Sequence, residues 1–415
     1  MRILIITSFF PPLNSIASLR PYSWAKYWTK EGHDVTVLTT EKEQDPNVML
    51  QLPNPGYKLI EVPIHGLAKK IKNSDRPSFL KNLSEKTGIF NTCRMPDFTD
   101  FWVRPALKAA MSGQPWDLVI STAGPYTTHL VAHRLKKKNH AKRWIADYRD
   151  AWSNHHIYKG VFPFNAIERK LEKKLLKHTD LVTTISEPFA KDLKQQFELD
   201  RVEVVANGLD PEDLDNIPKE PIFINDGKFR IVYTGSIYKG KQDPSPLFRA
   251  IKTLADDPNS KALLENLEVI FAGPNQEHLE QEIDQTGISK WVKRIGFVSR
   301  EDSLRMQRDA HALLFLPWND TKKGGVLTGK IFEYLFSGTP IVCIGEKQLE
   351  ASQLLVLEAK AGQSLQSVDE VSAYLVDQLK NVEKHSSSPN FAFLERYTRK
   401  SLARQLLTLI ESHVA

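Results

Sequence analysis

Within GGVLTGKIFEYLFSGTPIV (324–342), Lys330 and Glu333 stand three apart at the front of an otherwise apolar segment that stops at Ser-Gly-Thr-Pro. On a helix that spacing puts both charges on one face, while Ile331, Tyr334 and Leu335 share the face turned to the core. Thr328 reads as the N-cap and Gly338 as the end, with Pro340 barring continuation. A helix start behind a Gly-Gly loop attracts phosphate, and a carboxylate one turn further on can accept two sugar hydroxyls. An ordinary ion pair, worth roughly 0.3 kcal/mol at a surface, has the same spacing.

Three other stretches carry chemistry-bearing residues. VYTGSIYKGKQDPSPL (232–247) offers a glycine turn at Gly235 and Ser236, then Lys239 and Lys241: backbone donors and cationic heads of the kind a diphosphate requires. A plain strand turn with two surface lysines is the alternative. IADYRDAWSNHH (145–156) places Asp147 and Asp150 about Arg149, so that one carboxylate can be structural and the other, Asp150, reactive. Asp150 as the N-cap of a following short helix is an equal reading. SFFPPLNSIASLRPYSW (8–24) brings small residues, Asn14, Ser15, Ala17 and Ser18, to a helix start, without the Gly-x-Gly-x-x-Gly fingerprint of dinucleotide sites.

These stretches need strands to hold them, since ligands of open α/β sheets bind beyond the carboxyl ends of strands. Short apolar runs alternating with helical spacing occur in two series. The first predicts strands at 3–7, 35–39, 59–62, 118–121, 144–147, 181–185 and 202–205, with helices at 18–30, 126–138, 164–177 and 188–197. The second predicts strands at 230–234, 267–272, 294–297, 312–316 and 340–344, with helices near 246–255, 276–285, 301–309 and 329–337. The expected organisation is an α/β chain of two doubly wound domains: 1–206, a Pro/Asp/Asn-rich linker at 207–228, 229–388, and a C-terminal helix in 389–415 with Leu402, Leu406 and Leu409 on one stripe.

The chain has 415 residues, too many for one ordinary core, and 41% hydrophobic content places it among globular proteins. Two cysteines exclude a disulfide framework, no C-x-x-C pattern points to zinc, and a reducing cytoplasm is expected. The start, MRILIITSFFPPLN, reads as a buried strand and not a signal peptide, and no apolar run is long enough to span a bilayer. A net charge of +6 favours anionic partners. Its lysines and arginines gather at 65–86, 133–143 and 168–178, either as solvated helix faces or as a docking surface for an anionic membrane. Without interleaved aromatics, nucleic acid is not expected.

At these residues the chain resembles the GT-B nucleotide-sugar glycosyltransferases, specifically the large retaining family numbered four. The resemblance rests on the Pro-Pro loop after the first strand, VVANGLD (204–210), YTGS (233–236), FAGPN (271–275) with Gly273 and Pro274, GFVSREDSLRMQRDAHALLFLP (296–317) and, most strongly, KIFEYLFSGTPIV (330–342). It implies two Rossmann-like domains across a cleft, the second holding the donor, the first the acceptor, with a C-terminal helix returning to the first; from the two-domain organisation itself, closure on substrate is expected. It implies further that Glu333 binds the donor ribose, that Gly235 and Ser236 turn near the diphosphate, and that Lys239 or Lys241 stands at the family's diphosphate lysine. Gly325 occupies the place of the first of the family's two glutamates. As in a subgroup of bacterial polysaccharide enzymes, Lys330 precedes the second glutamate and can take over part of the phosphate role. Asp150 follows the strand where many members place a histidine, and can orient or deprotonate the acceptor.

The resemblance implies a nucleotide-diphosphate sugar donor, a glycan or lipid-linked acceptor, retention of configuration and no cofactor. No Asp-x-Asp pair precedes a plausible metal loop, so metal independence is expected. The expected place is the cytoplasm, at the inner face of a membrane. Two rivals share the architecture: a nucleotide-sugar 2-epimerase, and an inactive nucleotide-sugar-binding subunit of a polysaccharide assembly complex.

Overall fold

The computed structural model describes residues 1–412 apart from 14, 43–49, 65–77, 92, 156–157, 275, 319–326, 346–349 and 383–388. Gly324 and Gly325, Asn14 and most of the basic stretch at 65–86 therefore lie outside the described residues or at their edge.

The chain forms two compact units, one of residues Met1–Ala206 with the C-terminal helix Arg399–Ser412, the other Asn207–Thr398. The first is built on seven strands: β1 Arg2–Ile6, β2 Asp34–Thr40, β3 Lys58–Val62, β4 Trp116–Thr122, β5 Ala141–Tyr148, β6 Leu181–Thr184 and β7 Glu203–Val204. Their order is β3-β2-β1-β4-β5-β6-β7, every pair parallel. Ile3, Leu4, Ile5 and Ile6 are wholly buried, as a strand covered on both faces by helices must be. The C-terminal helix docks here: the Trp28 indole of helix Ile16–Lys30 donates to the Ala403 carbonyl at 3.0 Å. Its buried stripe is Leu402, Ala403, Leu406, Leu407 and Ile410, so Ile410 rather than Leu409 completes the face.

The second unit has six parallel strands, β8 Phe229–Thr234, β9 Leu267–Ala272, β10 Val292–Gly296, β11 Ala312–Phe315, β12 Ile341–Ile344 and β13 Gly362–Leu365, in the order β10-β9-β8-β11-β12-β13. Each sheet thus reverses direction once, between β1 and β4 and between β8 and β11. Residues 207–228 count with this unit and include a helical turn, Glu212–Asp215. The Ile222 amide donates to Asp309 at 2.8 Å, and Arg308 Nη1 to the Pro218 carbonyl at 2.6 Å. Strand β13, GQSL, has no apolar run to announce it. Its first residue is glycine for a packing reason: a Cβ at Gly362 would lie 1.9 Å from the Ile341 carbonyl oxygen.

Candidate active site

The reversal between β8 and β11 is where such a sheet opens a crevice, because the chain leaves the two strands in opposite directions. Two of the singled-out stretches follow these two strands. After β8, Gly235 takes φ +104°, a conformation that favours glycine, and its amide donates to the Ala272 carbonyl at 2.7 Å. In FAGPN the glycine is Gly273, followed by Pro274, and a Cβ on Gly273 would fall 2.3 Å from the Gly235 carbonyl oxygen. The two motifs are glycine-containing because their backbones touch. Between them lies a small pocket lined by Gly235, Ile237, Phe271, Gly273, Pro274 and Leu279 among others.

After β11 comes helix Gly329–Ser337, closed by Gly338 at φ +77°. Ile331, Phe332, Tyr334 and Leu335 are fully buried, and Tyr334 Oη accepts the Thr234 amide at 2.9 Å, tying the helix to the end of β8. Thr328 sits at the N-cap without a side-chain capping bond, and the Ile331 amide donates to its carbonyl at 3.3 Å. Lys330 reaches from this turn across to Gly235: its Nζ lies 3.2 Å from where a Cβ on Gly235 would stand, and 3.7 Å from the Tyr233 ring centroid. Lys330 is half-buried as a residue, and desolvation brings its pKa down to about 7, against the opposing pull of Glu333.

Glu333 departs from the sequence expectation. It is 7% exposed, not a charge turned outward, and no ion pair with Lys330 occurs among the described residues. Arg300 Nη1 donates to one carboxylate oxygen at 2.6 Å, and Gln307 Nε2 to the other at 3.3 Å. Gln307 Nε2 also reaches Thr234 Oγ1 at 3.0 Å, and Arg300 Nη2 reaches Asp213 at 3.2 Å. Burial opposes the Arg300 charge, but Glu333 and Asp213 outweigh it and hold its pKa above the ordinary arginine value. Each Glu333 oxygen retains a lone-pair position for a further donor. Lys330, Gly235, Tyr233, Glu333, Arg300 and Gln307 thus form one constellation.

Of the remaining residues expected to meet the donor, Ser236 uses its carbonyl, which accepts from Tyr233 Oη at 2.8 Å. Lys239 is exposed and Lys241 half-buried on the loop after β8, where the Lys241 amide donates to the Tyr238 carbonyl at 2.9 Å. Sequence reasoning did not find Arg300, because its partner is 33 residues away and no short-range pattern links them.

In the first unit, Asp147 is the structural carboxylate of the two, but its partner is not Arg149. Asp147 is fully buried and takes a two-pronged pair from Arg20, Nε at 3.1 Å and Nη2 at 2.7 Å, with Thr122 and Thr183 hydroxyls at 2.9 Å each. Asp150 has a side chain 41% exposed and pairs with Arg149 at 3.0 Å. No helix starts after it; the next is Phe164–Leu176, so the N-cap reading fails. Arg149 also donates to the Ala17 carbonyl at 3.2 Å and stacks over Phe9, binding the loop after β5 to the loop after β1. Gly124, at φ +82°, clears space for it: a Cβ there would lie 2.6 Å from Arg149 Nη2. Among the described residues no cluster of three or more His, Cys, Asp or Glu is arranged to hold a metal ion.

The model of Glycosyltransferase Family 4 matches residues 21–213, which is most of the first unit. Comparison with curated protein sequences gives no match. Among solved structures, sucrose-phosphate synthase from Thermosynechococcus elongatus is 13% identical, with a TM-score of 0.64 over 99% of this chain and 98% of its own. The UDP-forming alpha,alpha-trehalose-phosphate synthase from Burkholderia vietnamiensis is 10% identical, with 0.66 over 99% and 100%. WaaG, a glycosyltransferase involved in lipopolysaccharide biosynthesis, is 14% identical, with 0.56 over 97% and 94%. The two parallel sheets with flanking helices are the GT-B fold. Residues 21–213 are thus similar to family 4 glycosyltransferases, and the whole chain shares its fold with the structures above.

Proposed function

We propose that the chain moves a sugar from a nucleotide-diphosphate donor to a hydroxyl of a glycan or lipid-linked acceptor in cell-surface polysaccharide synthesis, with retention of anomeric configuration. The observation that carries this is the placement of Lys330: a partly desolvated ammonium at a helix start, beside the bare backbone of Gly235, at the sheet's reversal point. Cleaving a sugar–diphosphate bond leaves negative charge on the departing phosphate. A fixed cation and the N-terminal end of a helix can stabilise that charge as it develops. Lys239 and Lys241, on the loop after β8, add cationic reach toward the same diphosphate. Glu333, held by Arg300 and Gln307, offers its free lone pairs to the donor ribose.

Asp150, on its own unit, is proposed to orient or deprotonate the acceptor hydroxyl. Retention and the polysaccharide setting are supported by the family 4 resemblance and by the involvement of WaaG in lipopolysaccharide biosynthesis. The proposed location is the cytoplasm, with peripheral contact at an anionic membrane. Among the described residues no helix is long and apolar enough to cross a bilayer. Calorimetry with a panel of nucleoside diphosphates tests the donor site. Glu333→Ala is expected to weaken binding about 10- to 100-fold, the value of one or two hydrogen bonds to a charged group, while Glu333→Gln keeps the fold. Unaltered affinity in Glu333→Ala would remove the ribose assignment.

A further inference from the structure

Helix Phe164–Leu176 reads FNAIERKLEKKLL, and Lys177 follows it. Its two carboxylates point inward. Glu168 is fully buried and receives Arg94 Nη2 at 2.7 Å, the Met95 amide at 2.6 Å and the Trp152 indole at 3.1 Å. Glu172 is 1% exposed and accepts the Ser153 amide at 3.1 Å. Every cation stays outside: Arg169, Lys170, Lys174 and Lys177 are exposed and Lys173 is half-buried. Among the described residues only Lys173 has an acidic partner, Glu198 at 2.7 Å.

A solvated helix face ordinarily mixes signs along its surface. Here both acids are used to hold the fold, and the outer face is left with one sign of charge. At the helix start that face turns apolar: Phe162 is 80% exposed and Ile167 46% exposed, and Ile167 falls on the side of Lys170 and Lys174 by helical spacing. The basic surface continues onto helix Thr127–Lys137, because the His133 and His178 rings meet edge-on at 4.9 Å. Lys137, Lys174 and Arg134 each carry their charge near His133. Two of the basic stretches singled out in the sequence therefore form one surface.

We propose that this face, from Phe162 and Ile167 through Lys170, Lys174 and Lys177, docks on the surface of an anionic lipid bilayer. The lysines meet the headgroup charge, each worth about 1 kcal/mol near the surface, and the two apolar side chains enter the headgroup boundary. Single-stranded nucleic acid would call for aromatics interleaved with the cations, and here the apolar residues sit together at one end. The inference deepens the peripheral-contact part of the proposed function and does not depend on the sugar chemistry.

The test is sedimentation of the full chain with phosphatidylcholine vesicles, with and without about 30% phosphatidylglycerol to supply surface charge, without donor, so that an inactive protein answers equally. Binding is expected only with the anionic lipid and to weaken as salt rises. Lys170→Gln with Lys174→Gln should lower affinity about 25-fold, near fivefold for each lysine. Phe162→Ser should lower it further, and Lys170→Arg with Lys174→Arg should retain it. Nucleoside diphosphate affinity, measured alongside, should be the same in all variants, which separates loss of docking from loss of fold. Equal binding to neutral and anionic vesicles, undiminished binding of the double glutamine variant, or tighter binding of single-stranded RNA than of vesicles would overturn the proposal.

Discussion

Lys330 makes the proposed donor site sensitive to pH in a direction that follows from its surroundings. In the ligand-free protein its pKa is about 7, lowered first by desolvation, and a diphosphate arriving beside it favours the charged form. If the bound value returns toward the ordinary lysine pKa of about 10.4, binding takes up a proton throughout the interval between the two. The charged fraction of the free protein falls from about one half at pH 7 to about one hundredth at pH 9, so nucleoside diphosphate affinity should fall roughly 50-fold. The diphosphate's own last titration, near pH 6, lies mostly below this window. Calorimetry in buffers of different ionisation enthalpy reads the uptake directly: about half a proton at pH 7, approaching one above pH 8. Lys330→Met should bind more weakly and lose the slope. For folding the sign is opposite. The folded pKa lies below the unfolded one, so the unfolded chain holds the proton longer, and Lys330 costs less stability as pH rises from 7 toward 10. An affinity that is flat between pH 7 and 9, or an equal slope in Lys330→Met, would refute the assignment of this ammonium to the diphosphate.

Other consequences can be checked with single variants. Gly235→Ala forces a side chain into a φ of +104° with its Cβ 3.2 Å from Lys330 Nζ; thermal melts should show about 1–2 kcal/mol of lost stability, and nucleotide affinity should drop as well. Glu172, buried beneath the loop that carries Asp150, has a pKa raised to about 7 by desolvation. The folded state therefore holds its proton where the unfolded state has lost it, and stability should decline as pH rises from about 5 through 7. Glu172→Gln should flatten that decline in melts compared at these pH values, and an unchanged pH dependence would mean that another group sets it. Asp150→Asn should reduce turnover while leaving nucleotide affinity unchanged, because the constellation proposed to hold the donor lies in the other unit; a loss of nucleotide affinity would contradict the division of roles.

The alternation of buried apolar runs with helical spacing was legible because parallel strands covered on both faces cannot carry polar residues. Thus β1, β4, β8 and β11 are readable from Ile3–Ile6 and its counterparts, while β13, a GQSL edge strand, is not. The approach of Gly235 to Gly273 was half legible: each motif contains a glycine, but only the fold shows that the two backbones touch. The ion pairs were illegible. Arg20 and Asp147 are 127 residues apart, Arg94 and Glu168 are 74 apart, and nothing local selects Arg20 over the adjacent Arg149 as the partner of Asp147. The same distance in sequence hid Arg300, and with it the reason Glu333 can be buried at the front of its helix.

The most direct test of glycosyl transfer is to incubate the protein with each of a panel of nucleotide sugars, alone and with hydroxyl acceptors, and to follow donor and products by NMR and mass spectrometry. One donor should bind and be consumed slowly alone and quickly with its acceptor, releasing nucleoside diphosphate and a glycoside of unchanged anomeric configuration. Conversion of the donor into its 2-epimer, or tight donor binding with no consumption in the presence of lipid-linked acceptors, would contradict it.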